Sequence, residues 1–373
     1  MILVLIGTKA QLIKMAPVIV ALGERGLSYD LVLTGQHHET IDDLLSDLNF
    51  PDPTAYLVNP SETDTKGKVV RWLSNALLRG LTDRRFQAQY ELCLVHGDTL
   101  STLIGALIGR RWRIPVAHIE AGLRSFKILD PFPEEICRIL VTLLSDYFFC
   151  QDTTSADNVR RVRPKLSSGN IINTNANTLY DAARLAIQHR QPRHAPPNNY
   201  VVFSIHRFEN ISSRRRLAFI FRLVTDISSS HQVIFVLHPA TRRALETFTL
   251  TDDFAKYATL RERFIYPDFI RLIHGAEFLV TDGGSNQEEA SYLGIPTLIM
   301  RSSTERNEGL LKNAILADFD RKTIDSFVAN YSNYRHPIDF STNVRPSQLI
   351  CDWIADYCST KASRSLLRRS LEP

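Results

Sequence analysis

Short apolar runs alternate with amphipathic stretches along almost the whole chain. The first run, Ile2–Ile6, leads through a glycine turn into an apolar-periodic helix. Similar runs follow at Asp30–Leu33, Leu92–Val95, Pro115–Ile119, Tyr147–Cys150 and Asn170–Asn173. A second series lies at Tyr200–Ile205, Gln232–Leu237, Arg263–Tyr266, Phe278–Thr281 and Thr297–Met300. Helical periodicity fills the gaps, clearest over Leu100–Arg110 and Arg216–Ser229. Continuous apolar strands alternating with helices predict parallel sheets joined by right-handed crossovers, an α/β architecture. The polar stretch HRQPRHAPPNN, His189–Asn199, separates the two series and reads as a surface loop. The hinge is placed slightly earlier, near Thr174–Thr178. That gives a first domain over 1–175 and a second over 176–346, opened by a helix at Leu179–Gln188. A last amphipathic helix, about Ser347–Leu367 within 347–373, is expected to return to the first domain.

Length supports two domains: 373 residues is long for a single core. A net charge of +4, with 23% charged residues, is that of an ordinary enzyme. The arginine clusters Arg110–Arg113, Arg160–Arg163 and Arg214–Arg216 are scattered and lack interleaved aromatics, so no nucleic-acid partner is expected. Five cysteines show no paired metal spacing, and Cys93 and Cys150 sit in strand-like runs as small core residues. Histidines cluster near strand ends (His37, His96, His118, His206, His238, His274), but without a ligand spacing, so no metal is expected. No apolar run approaches the ~18–20 residues of a membrane span, and the N-terminus opens on a strand rather than a leader; a cytoplasmic setting is expected.

The densest chemistry lies in Thr281–Gly309. Gly283 and Gly284 let backbone approach a ligand closely, and the following helix offers N–H groups and its positive end to an anion. Glu288 and Glu289, near its first turn, suit ribose hydroxyls, and Arg306 suits a phosphate. The same design opens the chain, where Gly7 and Thr8 form the turn and Lys9 and Lys14 add charge. Taken singly, each lysine reads better as solvated surface. Between these turns, strand ends deliver His96-Gly97-Asp98-Thr99 and Glu120-Ala121-Gly122-Leu123-Arg124, and a loop delivers Pro133-Glu134-Glu135. Carboxylates gathered at strand ends acquire separated acidities and can exchange protons with a substrate. Asp98 reads equally as a cap of the helix that follows; Glu120, directly after an apolar strand, has little to cap. His206 and Arg207 end the first strand of the second domain, positioned to anchor a diphosphate or protonate a leaving group.

Together these motifs resemble the non-hydrolysing UDP-N-acetylglucosamine 2-epimerases, over nearly the whole chain and in collinear order. The resemblance rests on Gly7-Thr8 with Ile13–Pro17, Thr34–His37 with Glu39, Val95–Thr99, Val116–Arg124, Pro133–Glu135, His206-Arg207 with Glu209-Asn210, Asp282–Gly284, Gln287–Glu289 and Thr304–Arg306. It implies the GT-B fold, two Rossmann-like domains facing a central cleft, and a homodimer. It implies that UDP lies against the second domain, with Glu289 on the ribose, Gly284, Ser285 and Arg306 on the diphosphate, and Phe269 near the uracil. Lys9, Lys14, Arg207 and His206 would serve the diphosphate as well. Asp98, Glu120 and Glu134, with His206, match the family's catalytic groups. The implied reaction interconverts UDP-GlcNAc and UDP-ManNAc, or a related UDP-HexNAc, by eliminating and re-adding UDP without cofactor or metal, for surface polysaccharide precursors.

The chain departs from the family pattern in places. The usual Thr-Arg-Pro-Glu is Thr8-Lys9-Ala10-Gln11, Ser-Gly-Gly-Ile is Gly283-Gly284-Ser285-Asn286, and the Gly-Asp-Gly before the last helix is absent. These changes open the substrate to a diacetamido sugar or a uronate. They also put in question activation by bound UDP-GlcNAc through Gln36, Glu39 and Arg71. The competing function is a GT-B glycosyltransferase with a UDP-sugar donor. It needs one general base and an acceptor groove, whereas three retained acids favour the epimerase.

Overall fold

A computed structural model describes residues 1–36, 51–59, 65–87, 90–128, 132–188, 199–304, 306–338, 340 and 344–369. Its contacts divide into two units, Met1–Ala182 with Asn343–Pro373, and Ala183–Thr342. The division falls inside the helix Leu179–Gln188.

In the first unit the described strands are β1 (Ile2–Ile6), β2 (Tyr29–Leu33), β3 (Ala55–Tyr56), β4 (Leu92–His96), β5 (Val116–Ile119), β6 (Tyr147–Cys150) and β7 (Ile171–Asn173), in the order β3-β2-β1-β4-β5-β6-β7. Every pairing is parallel, with Leu5 opposite Val95 and Val95 opposite His118. β1 and β4 are wholly buried, as their unbroken apolar runs require of strands covered on both faces. Cys93 and Cys150 are core residues with no exposure. The helix Pro346–Arg369 packs on the helix Lys9–Glu24, where Arg25 pairs with Asp352 at 2.6 Å and the Cys351 thiol donates to the Val18 carbonyl at 3.4 Å. Its start is fixed by the Ser347 N–H donating to Asp181 at 2.8 Å.

In the second unit the described strands are β8 (Tyr200–Ser204), β9 (Gln232–Leu237), β10 (Thr259–Glu262), β11 (Leu279–Thr281), β12 (Thr297–Ile299) and β13 (Ala314–Leu316), in the order β10-β9-β8-β11-β12-β13 and again parallel. Phe203 and Phe235 stack at 5.9 Å in its core. The strand expected at Arg263–Tyr266 is not there. Tyr266 instead opens the helix Tyr266–His274, because Pro267 in its first turn carries a backbone angle suited to a helix start. The real strand, β10, is a half-exposed edge whose polar sequence gives no apolar run. β3 and β13 escape detection as two- and three-residue edges.

The turn after β5 is set by two left-handed residues. Glu120 has φ 61° and Gly122 has φ 84°. A Cβ on Gly122 would lie 2.0 Å from the Ser155 carbonyl oxygen. The Gly122 carbonyl accepts from Asn158 at 3.0 Å, so the loop is clamped to the helix Thr153–Val162. Gly122→Ala therefore meets both a backbone clash and an unfavourable φ, and we expect a loss of at least about 2 kcal/mol in urea unfolding. An unchanged midpoint would show that this loop yields freely.

Candidate active site

Acidic residues gather where β4 and β5 end. The helix Leu100–Arg111 is capped by Thr99, whose hydroxyl accepts from the Thr102 N–H at 3.2 Å. The capping role open to Asp98 thus falls to its neighbour. Asp98 Oδ2 instead accepts from Nε and Nη2 of Arg138 at 2.9 and 2.7 Å. Arg138 lies on the helix Glu134–Leu144, which begins with two adjacent glutamates of opposite surroundings. Glu135 is fully buried; it accepts from Arg124 at 2.6 Å, the Ser125 N–H at 3.0 Å and Arg138 at 3.3 Å. Burial works against its charged form, but the Ser125 N–H and the two guanidinium groups outweigh it and hold the carboxyl below the usual range. Glu134 is half-buried, and its buried Oε2 has no hydrogen-bond partner among the described residues.

Glu120 stands apart from both. Its Oε2 lies 2.6 Å from the Lys14 ammonium and 3.2 Å from His96 Nε2, with side chains no more than 7% exposed. The solvated reading of Lys14 fails: the helix Lys9–Glu24 turns it inward, and Glu120 neutralises it. Lys9 is half-exposed. Burial pushes the His118 imidazole down to about 4. Neutral, it donates from Nε2 to the Gly97 carbonyl at 2.7 Å and braces the turn before Asp98.

Gln11 is a fastening that sequence reading noted only as a departure. Its side-chain oxygen accepts from the Gly7 and Thr8 N–H groups at 2.9 and 3.1 Å. Its amide nitrogen donates to the His96 carbonyl at 2.6 Å and the Thr102 hydroxyl at 2.9 Å. An amide can accept and donate at once; a carboxylate could not donate to His96. Gln36 accepts from the Ser101 hydroxyl at 2.7 Å, Arg71 is exposed on the helix Lys66–Thr82, and Glu39 lies outside the described residues.

The second unit carries the other group. Asp282, with no exposure, accepts from the His206 and Arg207 N–H groups, each at 3.0 Å, and from Asn210 at 2.8 Å. It sets the turn after β8 and leaves His206 Nδ1 3.5 Å from its carboxylate. The His206 ring packs on His238, with centroids 4.5 Å apart. Burial holds the His206 imidazole below its ordinary value, against the pull of Asp282. A Cβ on Gly283 would come within 2.8 Å of His206 Cε1, so glycine is what lets these two loops meet. Gly283 also precedes the helix Gly284–Tyr292 without a side-chain cap, and the N–H groups of Gly284 and Ser285 have no partner among the described residues.

Glu288 and Glu289 lie in the second turn of that helix, not the first, and both are buried. Glu288 accepts from Arg306 at 2.9 Å and from the Tyr292 hydroxyl at 2.8 Å, an anchor for Arg306 that sequence reading missed. Burial, with Glu289 and Glu288 nearby, pushes the Tyr266 phenol well above its usual range. Phe269 is half-buried one turn further along the helix Tyr266–His274. Among the described residues no three or more His, Cys, Asp or Glu side chains group as a metal site, and no helix is long and apolar enough to cross a membrane.

The family model described as UDP-N-acetylglucosamine 2-epimerase matches residues 21–344. The chain belongs to the UDP-N-acetylglucosamine 2-epimerase family. A UDP-N-acetylglucosamine 2-epimerase of Methanocaldococcus jannaschii is 30% identical over 356 residues, covering 90% of this chain and 94% of that one. A UDP-2,3-diacetamido-2,3-dideoxy-D-glucuronate 2-epimerase of Pseudomonas aeruginosa is 31% identical over 310 residues, covering 82% of this chain and 84% of that one. The solved structure of the M. jannaschii UDP-GlcNAc 2-epimerase in complex with UDP-GlcNAc and UDP is 28% identical, with a TM-score of 0.79 over 95% of this chain and 99% of that one. A lipopolysaccharide outer core galactosyltransferase is 12% identical with a TM-score of 0.51, a likeness of fold alone. The fold of this epimerase-family chain is accordingly GT-B, and its relatives favour the epimerase over the glycosyltransferase.

The pairing of Lys14 with Glu120 is the feature of this epimerase-family site that stability measurements reach most directly. Removing one partner of a buried ion pair strands the other. Lys14→Met should cost about 3 kcal/mol in urea unfolding, and adding Glu120→Gln should recover most of it. Additive losses in the double variant would show that the two side chains act independently.

Proposed function

We propose that this chain interconverts UDP-GlcNAc and UDP-ManNAc, or a closely related UDP-N-acetylhexosamine, by inverting the sugar at C2. A carboxylate takes the C2 proton, the electron pair of that bond forms the C1–C2 double bond, and the C1–oxygen bond to UDP breaks with its pair leaving on the diphosphate. The reverse addition returns a proton to the opposite face of C2 and UDP to C1. Atoms and electrons balance without an oxidant or reductant.

The observation that carries this reading is a pair of open carboxylate oxygens in a chain of this family. Among the described residues, Asp98 Oδ1 accepts no hydrogen bond and the buried Glu134 Oε2 has no partner. Two such groups suit removal of a proton from one face and its delivery to the other. Glu120, neutralised by Lys14, is the supporting acid. In the second unit, the Gly284 and Ser285 N–H groups, Arg207, Arg306 and His206 would bind the diphosphate, Glu289 the ribose and Phe269 the base. Lys9 would add positive charge, whereas the charge of Lys14 is already met by Glu120. Stabilised departure of the diphosphate and a positioned carboxylate each lower the barrier by an amount on the order of several kcal/mol. A homodimer working in the cytoplasm on surface polysaccharide precursors fits this activity. Control by bound UDP-GlcNAc would act through Gln36, Glu39 and Arg71.

Incubation with UDP-GlcNAc in deuterated water tests the chemistry: deuterium should enter C2 of the recovered sugar nucleotide, read by NMR. Glu134→Gln should lower kcat by at least ~10²-fold while UDP affinity changes little. Consumption of UDP-GlcNAc and of the diacetamido glucuronate analogue without exchange at C2 would reject the epimerase.

The diphosphate role of His206 has a pH signature. Its folded value lies below the ordinary ~6.5, so the imidazole is neutral at pH 8 and gains charge only as pH falls through that lower value. Protonated, it binds phosphate more strongly. The UDP affinity of the wild type relative to His206→Asn should therefore be level near pH 8 and rise, by up to about fivefold, as pH falls through that lowered value, as calorimetry would show. Uridine should show no such divergence; a ratio flat with pH would remove His206 from the diphosphate.

A further inference from the structure

Resting on the reading of Asp98 as an acid–base group, we propose that Arg138 is a positioning residue for the reaction. Its guanidinium holds one oxygen of Asp98 so that the other is presented to the sugar. Three of its N–H donors are directed at two carboxylates from one plane. Nε and Nη2 converge on Asp98 Oδ2 at 2.9 and 2.7 Å, while Nη1 reaches Glu135 Oε2 at 3.3 Å. Glu135 in turn holds Arg124 at 2.6 Å and the Ser125 N–H at 3.0 Å. The chain Arg124–Glu135–Arg138–Asp98 thus locks the loop after β5, the start of the helix Glu134–Leu144 and the loop after β4 into one frame. Both proposed acids ride on it, Glu134 by sequence adjacency to Glu135 and Asp98 by direct contact.

The geometry is specific to arginine. Side-chain exposure is 9% for Arg138 and 27% for Asp98, so the ion pair faces inward while Asp98 keeps a path outward. Burial disfavours the charge on Arg138, but Asp98 and Glu135 more than offset it, and the guanidinium is held above even its ordinary range. A lysine at this position would keep the charge and lose the fork. Because both contacts fall on Oδ2, the carboxylate cannot rotate without breaking two hydrogen bonds, and Oδ1 keeps one direction.

A double-mutant cycle in kcat separates this from a folding role. Arg138→Ala should lower kcat at least ~10²-fold with KM changed less than ~3-fold. In an Asp98→Asn background the same substitution should change kcat by less than ~3-fold, because its effect runs through the missing carboxylate. Added guanidinium should restore part of the Arg138→Ala rate and none of the rate of Asp98→Asn. Losses that multiply in the double variant, or a wild-type rate in Arg138→Ala, overturn the proposal. If Arg138→Ala fails to fold, Arg138→Lys carries the cycle: a loss of ~10-fold alone and none in the Asp98→Asn background is expected, and a wild-type rate overturns the proposal. A wild-type rate in Asp98→Asn removes Asp98 from the chemistry and this proposal with it. Multiplying losses with an impaired Asp98→Asn remove only the role of Arg138.

Discussion

A carboxylate taken out of water must be met by a cation or by backbone N–H groups, and most of this molecule's candidate chemistry is organised by that requirement. In the first unit Glu120 is met by Lys14, and Asp98 and Glu135 share Arg138. In the second, Glu288 is met by Arg306, and Asp282 by the two N–H groups of His206 and Arg207. Except for Glu135 and Arg138, which share one helix, each pair joins segments that follow different strands. The constraint that keeps buried charge tolerable therefore also fixes the loops that carry the candidate site. Among the described residues Asp98 Oδ1 and Glu134 Oε2 are left unclaimed.

The parallel sheets decide where such loops can be. Strands buried on both faces carry few polar side chains, here His96 and His118 in support, so the open carboxylates lie past their C-terminal ends. There the backbone turns through the left-handed region: Gly97 takes φ 70° after β4 as a glycine can, whereas Glu120 takes φ 61° immediately after β5 under strain. A non-glycine residue in the left-handed region persists only where its surroundings hold it. For Glu120 the holding is visible in the Lys14 and His96 contacts on one side and in the Gly122 clamp on the other.

Much of this was legible in the sequence. Buried strands announce themselves as apolar runs, so β1, β4, β6 and β9 were readable almost to the residue, and the strand-end position of Asp98, Glu120 and His206 followed. Edge strands do not announce themselves. β10 buries nothing fully, and the apolar Phe264-Ile265-Tyr266 that drew attention from it leads into a helix started by Pro267. Partnerships between distant charges were also hidden. Lys14 and Glu120 are 106 residues apart, and Asp98 and Arg138 are 40 apart. No local pattern joins them, and nothing in the sequence singled out Arg138.

Glu134 and Glu135 show why residue type alone could not divide the labour. Adjacent residues on a helix point about 100° apart, whereas positions three apart share a face. Glu135 and Arg138 share one, turned inward, and the glutamate is consumed as a structural anion. Glu134, one position earlier, is turned off that face and keeps an oxygen without a partner among the described residues. The sequence presents two identical acids after Pro133; the helix turns one into an anchor and leaves the other open to the role proposed for it. The division extends to Asp98, because the anchor holds Arg138 and Arg138 holds Asp98. The inert glutamate thereby sets the geometry of both acids proposed to handle the proton.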